Sequence, residues 1–266
     1  MLKTRMLTAA VALPALGFIV AYLPAALFNG FILLVVAIGL SEYFAMALPE
    51  HALERFAGVA WGMAVAGGVV WGHPEAWGAG MALSGMSGLA FLLASPNDLP
   101  GAVNRLGLLL LGVLYVGFFL PHAVLLRESG SDGWRWALFA VYVAMASDSG
   151  GYFSGRSFGK HALAPAISPS KTVEGGAGAV ALAVCIALLC RVVFIPSVGV
   201  REAIALGITV SLLAQLGDLC ESALKRAFGA KDSGWIIPGH GGILDRLDSI
   251  LFPVVFMYYY AALPRG

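Results

Sequence analysis

The chain has 266 residues, of which 59% are hydrophobic and only 12% charged, with a net charge of +1 and a mean hydropathy of +0.86. So few ions cannot clothe a soluble fold of this length, and a near-neutral balance gives no electrostatic basis for a nucleic-acid partner. Three cysteines, Cys185, Cys190 and Cys220, lie in apolar or membrane-edge stretches without metal-ligand spacing and read as small hydrophobes.

A bilayer core takes about 20 apolar residues per helix. Nine segments qualify: 7–27, 30–48, 56–73, 78–95, 106–126, 134–153, 175–196, 201–220 and 244–263. The expected class is therefore all-α, a polytopic integral membrane protein of about nine transmembrane helices. Met1-Leu2-Lys3-Thr4-Arg5 ahead of the apolar residues 7–28 resembles a signal peptide, but that run is too long and is read as a retained first span. Segments 56–73 and 78–95 are rich in Gly, Ala and Ser. No linker or repeat divides the chain, so one membrane domain over 1–266 is expected, with N-terminal spans in 1–130 and the charged clusters in 134–263.

With nine spans, the N-terminus shares a face with the second, fourth, sixth and eighth loops. That face collects eleven of the sixteen Lys and Arg residues; Arg127, Arg135, Arg191, Arg201 and Arg265 fall on the other. The positive-inside bias places the N-terminus and both polar loops in the cytoplasm. Glu42, inside the second segment, is expected to make a polar contact within the bundle.

The sixth segment ends in Ser147-Asp148-Ser149-Gly150-Gly151-Tyr152. Gly155-Arg156, Gly159-Lys160-His161 and Ser168-Pro169-Ser170-Lys171-Thr172-Val173-Glu174-Gly175 follow as a loop. Ser, Lys and Thr ahead of a helix start supply hydroxyls, a cation and free N–H groups suited to phosphate. The Gly155 to Lys160 spacing is not that of a P-loop. Gly151, Gly155 and Gly159 also fit close helix packing.

Asp218, Glu221, Ser222 and Lys225 follow an i, i+3, i+4, i+7 spacing along one helical face. Pairing of Asp218 and Glu221 with Lys225 and Arg226 is one explanation. A charge at membrane depth costs roughly 2.5–3.5 kcal/mol, so Asp218 should otherwise face protein, water or a cation. Gly229 is expected to end this helix before Lys231-Asp232. Pro238-Gly239-His240-Gly241-Gly242 then allows backbone to approach a ligand, and a last helix begins near Ile243. Asp245 and Asp248 share a face of its first turns; capping explains either alone, but two acids beside another acid-bearing helix end suit a hard divalent cation such as Mg²⁺.

Taken in order, Ser222-x-x-Lys225-Arg226, Lys231-Asp232, Pro238-Gly239-His240-Gly241-Gly242 and Asp245-Arg246-x-Asp248 resemble the signature of the phosphatidate cytidylyltransferases, the CDP-diacylglycerol synthases. The Asp148 to Lys160 stretch and Ser168-Pro169-x-Lys171-Thr172-x-Glu174-Gly175 are similar to that family too, so the match covers about residues 145–250. Gly151 stands where the family more often has Ala. The resemblance implies a multi-span enzyme that condenses CTP with phosphatidic acid to give CDP-diacylglycerol and pyrophosphate. It also implies divalent-cation dependence, a homodimer and a place in the cell inner (plasma) membrane with the active site facing the cytoplasm. For that chemistry Asp218 and Asp245 are the expected principal metal ligands, with Asp248 supporting and Asp148 and Glu221 as further candidates. The expected ion is Mg²⁺, with a second cation, divalent or K⁺. Lys225, Arg226 and Lys231 would hold phosphates, Arg in bidentate fashion. Ser168, Lys171, Thr172, Ser222, His240 and Arg246 complete the expected substrate contacts. A secondary transporter would instead carry acids mid-helix in corresponding halves, and the acids here sit at helix ends beside cationic loops.

Overall fold

The structure, a computed structural model, describes residues 14–71, 74–93, 95–234 and 241–263. These are helical almost throughout, as a backbone without water to satisfy it must be. In chain order they form α1 (14–22), α2 (Ala25–Ala47), α3 (Ala52–Val70), α4 (Pro74–Leu93), α5 (Leu99–Gly112), a π-helical turn (Val113–Phe118) and α6 (His122–Arg127). There follow α7 (Gly133–Phe158), the strands β1 (Ala162–Ala164) and β2 (Ser168–Thr172), α8 (Val173–Val193), α9 (Val200–Ala227) and α10 (Leu244–Ala262).

Six stretches among the described residues are long and apolar enough to cross a membrane: α2, α3, α4 from Glu75, the run Leu99–Arg127, α8 and α9. The expected segments at 134–153 and 244–263 are helical as α7 and α10. Neither is among those six: Arg135, Asp148 and Arg156 in α7, and Asp245, Arg246 and Asp248 in α10, interrupt their apolar stretches. The start of the expected span at 7–27 lies outside the described residues. Helices α3 and α4 each begin four residues ahead of their apolar segments, taking Glu54, Arg55 and Glu75 into their first turns.

Two features correct the expected loop after the sixth segment. Helix α7 continues to Phe158, so Tyr152, Gly155 and Arg156 ride on a helix. Residues 162–172 then form an antiparallel hairpin in which Ala162 faces Thr172 and Ala164 faces Ser168. Pro165 and Pro169 bar a helix there, and extended backbone is what remains.

The chain falls into two compact units. The first takes the described residues of 1–28, 126–222 and 248–266. Within it α7 packs along α8. Their backbones touch: a Cβ on Gly150 would lie 2.5 Å from the Gly178 carbonyl oxygen. A buried hydroxyl pair, Ser147 and Ser211 at 2.8 Å, joins α7 to α9. The Arg127 side chain donates to the carbonyls of Val20 and Leu23 and lies over the Phe28 ring.

The second unit takes the described residues of 29–125 and 223–247. Here α3 packs on α4 and on the π-helical turn, around buried Leu40, Tyr43, Phe44 and Leu109. The α9 end within this unit is fixed as expected: Gly229 takes a positive φ of 68°, and Ala230 N–H donates to the Lys225 carbonyl at 2.8 Å. That 6→1 bond is a Schellman closure, which glycine makes inexpensive.

Candidate active site

The first unit encloses a cavity of about 440 Å³, lined among others by Asp148, Tyr152, Arg156, Lys171, Gln215 and Asp218. Its polar side chains come from three elements, while β1 and α8 add Leu163, Gly175, Gly176 and Ala179. The last turns of α7 bring Asp148, Tyr152 and Arg156, β2 brings Ser170, Lys171 and Thr172, and α9 brings Gln215 and Asp218. Thr172 is also the N-cap of α8, its Oγ1 accepting from Gly175 N–H at 3.1 Å. The first-turn acid Glu174 accepts from the N–H groups of Lys160 and His161 and from His161 Nδ1, at 3.0, 3.2 and 2.6 Å. Its expected place in the motif is thus architectural, tying the hairpin's approach to α8.

Lys171 Nζ lies 2.7 Å from Asp218 Oδ2, an ion pair across the cavity. The pairing of Asp218 with Lys225 considered from the sequence is therefore replaced by a partner 47 positions upstream, brought there by the hairpin. Ser222, one turn on, approaches Asp218 Oδ1 at 3.5 Å. Asp148 Oδ2 accepts from the Ser249 hydroxyl at 2.7 Å, and Asp248 Oδ1 accepts from Ser249 N–H at 2.7 Å. Asp248 is in electrostatic contact with Asp218, Glu221 and Asp148. So four of the expected acids gather in one unit, and the ammonium of Lys171 is ion-paired with one of them, Asp218.

That donor set fits a hard divalent cation chemically: carboxylate oxygens in mutual repulsion, with lysine in partial compensation. Among the described residues no three acidic, His or Cys side chains converge on a single point. Mg²⁺ commonly takes only one or two protein carboxylates and completes its shell with water and phosphate oxygens.

In the second unit, Lys225 Nζ lies 2.6 Å from Asp245 Oδ1. Asp245 Oδ2 accepts from Ser233 N–H, the Ser233 hydroxyl and Gly242 N–H, at 2.9, 2.9 and 2.8 Å. Both oxygens are therefore engaged. Gly241 has a φ of 80°, and a Cβ there would sit 2.5 Å from Asp245 Oδ2, which explains one glycine of the motif. Arg226, Lys231, Asp232 and Arg246 are exposed, and Arg226 reaches the Ala230 carbonyl at 3.5 Å. Ser168 sits at the far end of β2, facing Ala164. His240, with Pro238 and Gly239, lies outside the described residues.

Four polar residues were missed from the sequence: Ser147, Ser211, Gln215 and Ser249. Gln215 donates to Ser211 Oγ at 3.2 Å and to the Gly176 carbonyl at 3.5 Å. The signal for two of them was available, because Ser211, Gln215, Asp218 and Ser222 form one polar stripe along an apolar helix. Ser147 and Ser249 adjoin charged neighbours that draw attention away from them.

The cytidylyltransferase family model matches residues 3–263, nearly the whole chain. The chain belongs to this family. It is 34% identical over 259 residues to a protein of Staphylococcus saprophyticus named phosphatidate cytidylyltransferase, covering 94% of this chain and 95% of that one. A Staphylococcus aureus protein of the same name is 36% identical over 263 residues, with the same coverage. A Bacillus subtilis protein of that name is 41% identical over 160 residues, a stretch covering 60% of each chain. The matches extend well beyond residues 145–250 and take in the N-terminal part of the chain.

Proposed function

We infer that this protein is a phosphatidate cytidylyltransferase of a bacterial cell membrane, acting in phospholipid biosynthesis. It transfers CMP from CTP to phosphatidic acid, giving CDP-diacylglycerol and pyrophosphate. Membership of the family over nearly the full length carries this reading. The cavity, which opposes Lys171 to a group of carboxylates, supports it chemically.

A phosphate oxygen of phosphatidate forms a bond to the α-phosphorus of CTP, while the bond from that phosphorus to the β-phosphate bridge breaks and pyrophosphate leaves. A phosphate monoester has a second pKa near 6, so its oxygen is already ionised and needs no general base. The obstacle is repulsion between two polyanions. Lys171 and Thr172 in the cavity, with Lys225, Arg226, Lys231, Ser168, Ser222, His240 and Arg246, hold the phosphates by charge-assisted bonds. Mg²⁺, when bound, neutralises phosphate charge and polarises the phosphoryl oxygens. Asp218 and Asp248 would hold it, with Asp148 and Glu221 beside them. Asp245 remains a proposed cation ligand, whose Oδ1 would be freed by Lys225 turning to a phosphate. A second cation, divalent or K⁺, is part of the same reading.

The proposed topology has nine spans, with the N-terminus and the residues around Lys171 and Lys231 in the cytoplasm, and the proposed assembly is a homodimer. Purified protein in detergent should convert labelled CTP and phosphatidate to equal amounts of CDP-diacylglycerol and pyrophosphate when Mg²⁺ is supplied, and should use ATP poorly. No product across a range of divalent metals would overturn the assignment. Cysteine labelling that puts positions 171 and 231 on opposite membrane faces would overturn the topology.

A further inference from the structure

Glu42 lies outside the charged signature, 201 positions ahead of Ile243. It is 5% exposed, in the second half of the apolar helix α2. Its Oε1 accepts from Ile243 N–H at 3.0 Å, and its Oε2 accepts from Leu244 N–H at 3.0 Å and from the Ser233 hydroxyl at 3.3 Å. These amides open α10 and have no partner within that helix, so a carboxylate from another helix performs the cap. A residue next to the helix start does this at far less cost than a charge buried in an apolar helix. What Glu42 adds is a tie joining α2, residue 233 and the first turn of α10.

The tie leads to Asp245. The Ser233 hydroxyl lies within hydrogen-bond distance of both carboxylates, Glu42 at 3.3 Å and Asp245 at 2.9 Å. Its single proton serves one of them at a time, and Asp245 N–H donates back to the same hydroxyl at 3.3 Å. The surrounding backbone leaves no slack. A Cβ on Gly234 would meet Glu42 Oε1 at 2.5 Å, and one on Gly242 would meet Glu42 Oε2 at 2.5 Å. So the last glycine of the motif accommodates Glu42, just as Gly241 accommodates Asp245.

We propose that Glu42 is a positioning residue for the transfer reaction: by fixing Ser233 and the first turn of α10, it sets the Asp245 carboxylate and, through that ion pair, Lys225. The inference rests on the proposed roles of Asp245 with the cation and Lys225 with phosphate. Glutamine at 42 keeps the shape but turns an N–H₂ group toward a donor. Aspartate keeps both oxygens, one methylene short.

The test uses the full-length protein in detergent as wild type, Glu42→Gln, Glu42→Asp and Asp245→Asn. Two quantities are measured: Mn²⁺ binding without substrate, by electron paramagnetic resonance, and the Mg²⁺ concentration for half-maximal rate. Groups that orient a metal ligand typically contribute about tenfold to a hundredfold in affinity. Glu42→Gln should shift both quantities by that order, with Glu42→Asp in between. Wild-type values of both in Glu42→Gln overturn the proposal even if the yield of folded protein falls, because a purely architectural residue changes how much native protein exists and not its metal affinity. If the Gln variant does not fold, wild-type values in Glu42→Asp overturn it instead. Wild-type behaviour of Asp245→Asn strikes the assignment of Asp245 itself, whereas a defective Asp245→Asn beside an unaltered Glu42→Gln removes only the inference about Glu42.

Discussion

In the unit that holds the cavity, Asp148, Asp218 and Asp248 repel one another, and the ammonium of Lys171 is the charged partner of Asp218. In the other unit, Asp245 accepts from an ammonium, a hydroxyl and two backbone amides, and Glu42 accepts from two further amides. The same side-chain chemistry is thus left short of positive charge in one place and saturated in the other. The first arrangement is the one proposed to take up a cation. The second holds backbone in place, and offers Asp245 to a ligand only by exchanging Lys225.

The largest expected effect tests that contrast directly. Asp218→Asn should lower the rate by about 10²–10³, the scale of losing one group that organises transition-state charge, while the melting midpoint falls less than in Asp245→Asn, because relief of carboxylate repulsion offsets the lost pair with Lys171. Asp245→Asn should lose rate and stability together. Its amide nitrogen must face either Lys225 or the cluster of donors, and leaving buried donors without an acceptor costs about 1–3 kcal/mol. Thermal unfolding of the two variants side by side decides the matter. If Asp218→Asn is the less stable one, the division of labour drawn above is wrong.

Much of this was legible beforehand, and the losses have identifiable causes. The apolar segments, the end of α9 at Gly229 and the face shared by Asp218 and Ser222 follow from periodicity and glycine chemistry, which act locally. The Lys171–Asp218 pair joins residues 47 positions apart through a hairpin that the apolar pattern does not encode. Asp245 and Asp248, three residues apart on α10, have different partners, because the Lys225 and Ser233 that engage Asp245 come from elsewhere in the chain while Asp248 takes the neighbouring Ser249 N–H. Glu42 was legible as an intramembrane acid needing a polar contact, but its partners are backbone amides, which carry no signature in a sequence.

An intermediate effect comes from Gly242→Ala. The added methyl would lie 2.5 Å from Glu42 Oε2 and closer still to the Ser233 hydroxyl, so carboxylate, hydroxyl or backbone must move. Overpacking of this kind costs typically about 1–3 kcal/mol. The variant should melt earlier and need more Mg²⁺ for half-maximal rate, as expected of Glu42→Gln. A normal Mg²⁺ requirement would mean that the glycine serves backbone geometry alone.

The smallest effect is expected in the other unit, at Gly151→Ala. Gly151 lines the cavity, yet a Cβ there would meet Ala179 Cβ at 3.6 Å and the Gly175 carbonyl oxygen at 3.7 Å, both ordinary contacts. It lies inside α7 without a positive φ, so alanine asks nothing of the backbone and reduces the freedom of the unfolded chain. Such exchanges stabilise by about 0.4–1 kcal/mol. The rate should stay near wild type while the melting midpoint rises slightly, measured by the same CTP assay and thermal unfolding. A clear loss of rate would show that the cavity needs the bare backbone at 151 to admit its substrate.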